Sequence, residues 1–421
     1  MTQDNNIPQG YKQTEFGPIP LDWELCTFKY VLATFSSGAT PYRGIPEYYN
    51  GDVRWISSGE LNYNHIYDTL EHISQQAVRN TNLRIHKPGT FLMAITGLEA
   101  EGTRGRCAFV GAPSATNQSC LAINGTDKMC AEYLFWFYRM WGQYLAFKYC
   151  QGTKQQSYTA DIVKKLPIYG PKDIAEQRAI AEALSDVDGL IAALDKKIAK
   201  KRLVKQGAMQ QLLTGKTCLH RFTDEWVEIR FGDYVDIYRG GSPRPIEHYI
   251  TNQPNGINWI KIGDVKPNDK YINKTTERII PEGVSRTREV QVGDFILSNS
   301  MSFGRPYILG INGCIHDGWL VIQNYHQTFD KDFLYYLLCS DDVMSQYIGM
   351  AAGSSVKNLN KEKVASLSLV IPTNIKEQQA IATILSDMDK EIADLEAQRD
   401  KYRLLKSGMM QKLLTGQIRL K

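Results

Sequence analysis

The chain has 421 residues, 43% of them apolar, and a net charge of +4: enough to bury the cores of two or three domains, with too little excess charge to announce a nucleic-acid binder by electrostatics alone. Eight cysteines are scattered singly without a C-x-x-C pair, which argues against a disulfide framework or a zinc cluster and leaves Cys218 with His220 as an isolated pair. The opening MTQDNNIPQGYKQTEFG has no apolar run or cleavage pattern and no stretch of 18 apolar residues follows, so the expectation is a soluble, non-secreted, cytoplasmic protein with no membrane partner.

From the start to about residue 170, short β-branched and aromatic runs punctuated by glycine and asparagine predict mostly strands. They include Val53-Arg54-Trp55-Ile56 and Pro88-Gly89-Thr90-Phe91-Leu92, with a turn at Ser37-Gly38-Ala39-Thr40-Pro41 and one closing helix near Glu132 to Lys148. The polar loops of this block supply the binding candidates Thr40, Tyr42, Arg43, Arg104, Arg106, Lys154, Gln155, Gln156 and Tyr158, because loops on a rigid frame commonly carry recognition.

A long helix follows. Pro171, then Asp173 with Glu176 three residues on, fits a capping box. Ile180, Leu184, Val187, Ile191, Leu194 and Ile198 then recur at alternating steps of four and three, the 3.5-residue seam of a coiled coil. The run closes at Leu212-Leu213-Thr214-Gly215, where glycine can take the left-handed helix cap.

Residues 217 to 371 form a second block that weakly copies the first. Trp226 corresponds to Trp23, Arg239-Gly240-Gly241-Ser242-Pro243 to the first turn, Ile257-Asn258-Trp259-Ile260 to the first strand, Val292-Gly293-Asp294-Phe295-Ile296 to Pro88 through Leu92, and Gly304-Arg305 to Gly105-Arg106. A closing helix is predicted near Lys331 to Ile348. The binding candidates here are Arg239, Ser242, Arg244, Asn299, Arg305, Lys357 and Asn358. Arginine, asparagine and glutamine pair bidentately with guanine or adenine edges, and lysine and serine hold phosphates.

The second long helix repeats the first. After Pro372, Asn374 and Glu377 again fit a capping box, Ile381, Leu385, Met388, Ile392 and Leu395 continue the seam until Arg399 breaks it, and Leu413-Leu414-Thr415-Gly416 closes it. From Glu176 to Gly215 and from Glu377 to Gly416, 23 of 40 aligned residues are identical, which unrelated helices do not produce. About 40 residues at 1.5 Å each make a rod of roughly 60 Å that must cover its apolar stripe. Either the two rods pack antiparallel on each other or each packs on its own block.

Enzymatic tools are not evident. No two prolines are adjacent, which removes the Asn/Asp-Pro-Pro-aromatic loop of amino-methyltransferases, and no glycine-rich loop follows a strand. Gly215-Lys216-Thr217 ends a helix and lacks the upstream glycine of a phosphate loop. Asp236 with Asp264-Val265-Lys266 is the best approximation to a magnesium nuclease and keeps an autonomous nuclease open as an alternative.

The order divergent block, repeated helix, divergent block, repeated helix resembles the specificity (S) subunit of type I restriction-modification systems, over essentially the whole chain. The carrying elements are the EQ-x-A-I-A openings at Glu176 and Glu377, the L-L-T-G endings, the G-x-T/S-P turns at Gly38 and Gly240, and Ile19-Pro20-Leu21-Asp22-Trp23. The resemblance implies an α+β fold in which two mainly-β target recognition domains, residues 1–170 and 217–371, are joined by two long antiparallel coiled-coil helices, 171–216 and 372–421, as a pseudo-two-fold internal repeat. It implies a non-catalytic reader with no catalytic or metal-binding residues and no cofactor of its own: each domain reads half of a bipartite, asymmetric double-stranded DNA target, and the helices set the gap and dock two methyltransferase (M) subunits. S-adenosylmethionine, ATP and Mg would be used by the partners, which include restriction (R) subunits. A specificity subunit of a fused restriction-methylation enzyme, or a structural coiled-coil protein whose blocks bind other ligands, shares parts of this layout.

Overall fold

In the computed structural model, the described residues are 7–99, 102–152, 156–217, 219, 222–266, 269–299, 304–351 and 359–420. The candidates Lys154, Gln155, Lys357 and Asn358, together with Cys218 and His220, lie outside them. The chain forms two compact units, Met1–Leu194 with Gln398–Lys421, and Asp195–Ala397. Each unit therefore combines one mainly-β block, the first half of the helix that follows it and the second half of the other helix.

In the first unit a five-stranded sheet runs in the order Ala33–Ser37, Cys120–Asn124, Phe91–Ala94, Cys107–Val110, His65–Ile66. The strands Phe91–Ala94 and Cys107–Val110 are buried at every position, as expected for short continuous apolar runs covered on both faces. The helix Ala131–Tyr149 covers this sheet, with Phe135 stacked on Phe109 at 5.0 Å and Tyr138 edge-on to Phe91 at 5.8 Å. A second sheet places Val53–Ile56 between Ser114–Thr116, which is parallel to it, and His72–Ile73, which is antiparallel.

The second unit repeats the topology. Its five-stranded sheet runs Asp236–Arg239, Trp319–Gln323, Phe295–Ser298, Pro306–Leu309, Tyr271–Ile272, and in a companion sheet Ile257–Ile260 again lies between a parallel strand, Gly313–Ile315, and an antiparallel one, Glu277–Ile279. The single closing helix expected near Lys331 to Ile348 is instead two, Lys331–Leu338 and Asp341–Ala351. The break falls where the Ser340 hydroxyl accepts from the Val343 amide and restarts the helix, a local competition that serine favours.

The long helices span Ile174–Leu212 and Ile375–Leu414. Asp173 and Asn374 cap them, accepting from the amides of Ala175 and Lys376, both at 2.9 Å. The capping boxes do not close: Glu176 and Glu377 turn inward and are buried. The next residue accounts for the glutamine of the shared motif. Gln177 donates to the carbonyls of Lys128 and Pro171, both at 2.8 Å, and accepts from the Cys130 amide at 3.0 Å. Gln378 makes the same three bonds to Thr328, Pro372 and Asp330. One buried amide thus satisfies three backbone groups and locks each helix to its own block.

The far ends of the helices dock equally specifically. In the first unit Gly416, at φ +71°, meets Pro20 and Trp23, and the Tyr11 hydroxyl donates to its carbonyl at 3.0 Å. In the second, Gly215, at φ +68°, meets Trp226. A left-handed cap explains the glycine, and the block's tryptophan packed on it explains why each block opens with one.

Both ways of covering the apolar stripe therefore operate. In the first unit Ile180 and Leu184 join a core with Trp136, Leu413 and Leu414, and in the second Ile381 and Leu385 join one with Leu212 and Leu213. Ile191, Leu194, Ile198, Ile392 and Leu395 are also buried, whereas Val187 and Met388 are half-buried. The direction is antiparallel within each unit: Lys406 pairs with Asp188 in the first, and Lys205 with Asp389 at 2.5 Å and Lys201 with Glu391 at 2.7 Å in the second. Burial pushes the Asp188 carboxyl up, but Lys406 and Arg139 together hold it below the ordinary carboxylate range.

Candidate nucleic-acid interface

In each unit three segments meet at one end of the five-stranded sheet, and several of the sequence candidates, Thr40, Tyr158, Ser242 and Asn299 among them, lie on these segments. The first is the G-x-T/S-P turn. A Cβ on Gly38 would fall 1.8 Å from the Thr116 carbonyl oxygen, and one on Gly240 would fall 2.1 Å from that of His316. Neither glycine is there for a positive φ. Each is there because the turn lies flat against another piece of backbone. The Ala39 amide then donates to Thr116 O, and the Gly241 amide to Ile315 O, both at 3.2 Å. On the other side, the Trp55 indole donates to Ala39 O at 3.1 Å.

The second segment is the turn joining Ser114–Thr116 to Cys120–Asn124, and its counterpart joining Gly313–Ile315 to Trp319–Gln323. Thr40 donates its hydroxyl to the side-chain oxygen of Gln118 at the tip of the first. Ser242, the equivalent of Thr40, accepts from the backbone amide of Asp317 at the tip of the second, at 3.4 Å. Four candidates converge on Asp317. Arg239 and Asn299 donate to its carbonyl at 3.2 and 3.0 Å, Ser242 takes its amide, and Arg244 faces its carboxylate at 3.6 Å.

The third segment enters beside the end of a central strand. In the first unit the Ile95 amide donates to Ser119 O and its carbonyl accepts from the Tyr158 amide. In the second the Asn299 amide donates to Gly318 O and its carbonyl accepts from the Leu359 amide. Tyr158 and Leu359 thus occupy the same place, and both are 3% exposed. Tyr158 is therefore a core residue and not a surface contact. Burial drives its hydroxyl well above the ordinary phenol range, and the repeat substitutes an aliphatic side chain there.

The remaining candidates are distributed unevenly. Tyr42 projects into solvent. Arg43 is held by two bonds to Glu71, at 2.6 and 2.8 Å, and lies over Tyr49 and Trp55; the guanidinium keeps the Glu71 carboxyl below its usual range. Arg104 donates to Gln156 at 3.0 Å, beside Phe147, while Arg106 is turned back onto the Gly102 carbonyl. Arg305 lines a different concavity, with Arg202, Lys205 and Lys270, and does not join the turn cluster. In place of Arg43, the second unit has an open pocket of about 800 Å³ walled by Pro243, Pro245, Trp259 and His316.

Sequence reasoning missed Gln118 and Asp317. Their signal was present: aligning Thr116-Asn117-Gln118-Ser119 with Ile315-His316-Asp317-Gly318 puts the two tips in register between matched strands. The carboxylates of the nuclease alternative serve local structure. Asp264 accepts from the Lys261 amide at 2.8 Å and from the amide and hydroxyl of Thr276 at 3.0 and 2.7 Å, and Asp236 accepts from the side-chain amide of Asn324 at 2.5 Å.

Comparison with known proteins agrees with this double construction. The family described as the type I restriction modification DNA specificity domain matches residues 20–201 and again residues 223–402, so the chain belongs to that family, with two copies of its domain. It is 27% identical over 438 residues to the MjaX specificity subunit attributed to a type I restriction enzyme of Methanocaldococcus jannaschii, covering 98% of this chain and 97% of that one. It is 23% identical to the MjaVIII specificity subunit of the same organism, covering 99% and 98%. Among solved structures, the type I restriction-modification S subunit from M. genitalium shares the fold, with a TM-score of 0.60 at 13% identity over 98% of both chains. No helix among the described residues is long and apolar enough to cross a membrane.

Proposed function

We propose that the chain is the non-catalytic DNA-recognition subunit of a type I restriction-modification complex. Residues 1–170 and 217–371 each read one half of a bipartite target, and the helical segments 171–216 and 372–421 set the gap between halves and dock the methyltransferase. The observation that carries this reading is that one turn-and-tip site is built twice by the same backbone contacts while its exposed side chains differ. A fixed frame with unlike readers suits an asymmetric target, as half-site spacing follows protein geometry in other DNA-binding proteins. Lys154, Gln155, Lys357 and Asn358, which lie outside the described residues, are further proposed DNA contacts.

The helices support a partner stoichiometry of two. Leu203 and Val204 are left 69% and 49% exposed on one helix, and Leu404 and Leu405, at the equivalent positions of the other, 77% and 49%. Apolar pairs in water at a repeated register are what two copies of one partner would cover. With a net charge of only +4, much of the phosphate contact falls to those partners, as do S-adenosylmethionine, ATP and Mg, the last two with the restriction subunits.

Long-read methylation mapping of the host, with and without this gene, tests the proposal. Loss of one bipartite adenine-methylation motif on deletion, with return on complementation, is expected, together with salt-sensitive DNA binding by the complex. An unchanged methylome and no complex with a cognate methyltransferase subunit would favour a structural role.

A further inference from the structure

The turn joining Ser114–Thr116 to Cys120–Asn124 and its counterpart in the second unit are held by matching backbone contacts but carry different side chains at their tips, Gln118 and Asp317. We propose that Gln118 and Asp317 each read a base, the first at an A·T pair in one half-target and the second at a C·G pair in the other. This assignment rests on the chain being a DNA-recognition subunit and goes further, naming the reading atoms.

Gln118 is exposed, and its side-chain oxygen already accepts the Thr40 hydroxyl. That bond decides which way the amide faces. It leaves one lone pair on Oε1 and presents the Nε2 hydrogens beside it, an adjacent acceptor and donor that match N6 and N7 of adenine. Thr40 is thus a positioning residue. Its neighbour Pro41 and the flat contact at Gly38 fix it to the same turn.

Asp317 offers different chemistry. Its backbone is clamped at three points, by Arg239, Asn299 and Ser242, while its carboxylate is about one-third exposed. The ring of His316 approaches Oδ1 at 3.0 Å and Arg244 approaches Oδ2 at 3.6 Å. An ionised carboxylate only accepts, and the base edge that only donates in the major groove is N4 of cytosine. Arg244, 82% exposed and loosely held, has the reach to turn to O6 and N7 of the paired guanine, so the acid and the base would divide one C·G pair between them. Among the described residues the first unit shows no such couple at its tip: Gln118 replaces the acid, Tyr42 aligns with Arg244, and the next residue, Arg43, is tied to Glu71.

The test uses the full chain, co-purified with its methyltransferase partner, carrying Gln118→Ala or Asp317→Asn. Methylation is mapped by long-read sequencing, and binding is measured by competition between duplexes differing at one position. Gln118→Ala is expected to relax one A·T position of one half-target, discrimination there falling about 10–100-fold, with the other half-target and the gap unchanged. Asp317→Asn is expected to do the same at one C·G position of the other half-target. Since asparagine preserves side-chain size and all three backbone clamps, a folded variant with unchanged melting is expected. Variants that keep wild-type discrimination at every position would overturn the assignment, as would uniform loss of methylation with lowered melting, the mark of a purely structural tip. A wild-type complex that modifies no defined sequence would overturn the DNA-recognition reading itself, a result distinguishable because it needs no variant.

Discussion

Gly38→Ala and Gly240→Ala are each expected to silence one half of the recognition while leaving the other intact. A methyl group placed 1.8 Å from Thr116 O or 2.1 Å from His316 O has no flexible neighbour to push aside, so the turn must lift away from the strand beneath it. Overpacking of this kind costs about 1–3 kcal/mol, more when backbone must move. The lifted turn carries Thr40 or Ser242 away from the tip it contacts. Methylation at sites read by that block should fall by at least an order of magnitude, and duplexes altered only in that half-target should become equivalent competitors. Gly207 and Gly408 provide the control. Both lie in the long helices with open space where a Cβ would go, so alanine there should stabilise by about 1 kcal/mol, as expected for a helix interior.

The second large effect separates two glutamates that the sequence makes equivalent. Arg419 holds Glu176 at 2.6 and 2.8 Å and Asp22 at 2.9 and 2.8 Å, and the two carboxylates hold the guanidinium firmly charged. Glu377 is 0% exposed, and neither of its oxygens finds a hydrogen-bond partner among the described residues. The residue aligned with Arg419 is Cys218. Burial therefore raises the Glu377 carboxyl, an effect that the nearby Trp226 indole opposes and Asp224 reinforces. Glu176→Gln should destabilise the first unit by about 1.5–3 kcal/mol, because it replaces the charged acceptor of the part-buried Arg419 guanidinium with a neutral one.

Glu377→Gln should instead stabilise the second unit at neutral pH by about 1–3 kcal/mol. The sign follows from linkage. A carboxyl whose folded value is raised favours folding below its unfolded value, and that advantage is lost as pH rises from there through the raised value. The gain from Glu377→Gln should therefore be present at pH 7 and vanish below the ordinary glutamate range. Hydrogen exchange at the first turns of the two helices, followed against pH, reads each unit separately. Equal destabilisation by both substitutions would contradict the difference between the two sites.

How far the sequence was legible follows the distance over which its signals act. The EQ-x-A-I-A openings, the apolar stripes and the terminal glycines are local and repeated, so both helices were evident, as were the matched strands around Trp55 and Trp259. What could not be read lay in contacts between distant segments. Gln177 and Gln378 are ordinary in a helical pattern, and their three-way bonding appears only when residues 47 to 50 positions away arrive beside them. Glu176 and Glu377 fit a capping box by spacing, yet burial of the first turn drew both inward. Tyr158 stands among polar neighbours in the sequence, which suggests a surface contact, whereas its equivalent, Leu359, shows that the position belongs to the core. Gln118 and Asp317 occupy short turns whose importance comes from what folds onto them, Thr40 at a separation of 78 residues and Ser242 at 75.

The most direct measurement of the central claim, two unlike readers on one repeated frame, is a block exchange. Residues 1–170 are replaced by the corresponding block of another specificity subunit, the chimera is expressed with its methyltransferase partner, and the methylome is mapped. The double construction predicts that one half of the methylated motif changes to the donor's while the other half and the gap remain. A change in both halves, or in neither, would contradict it.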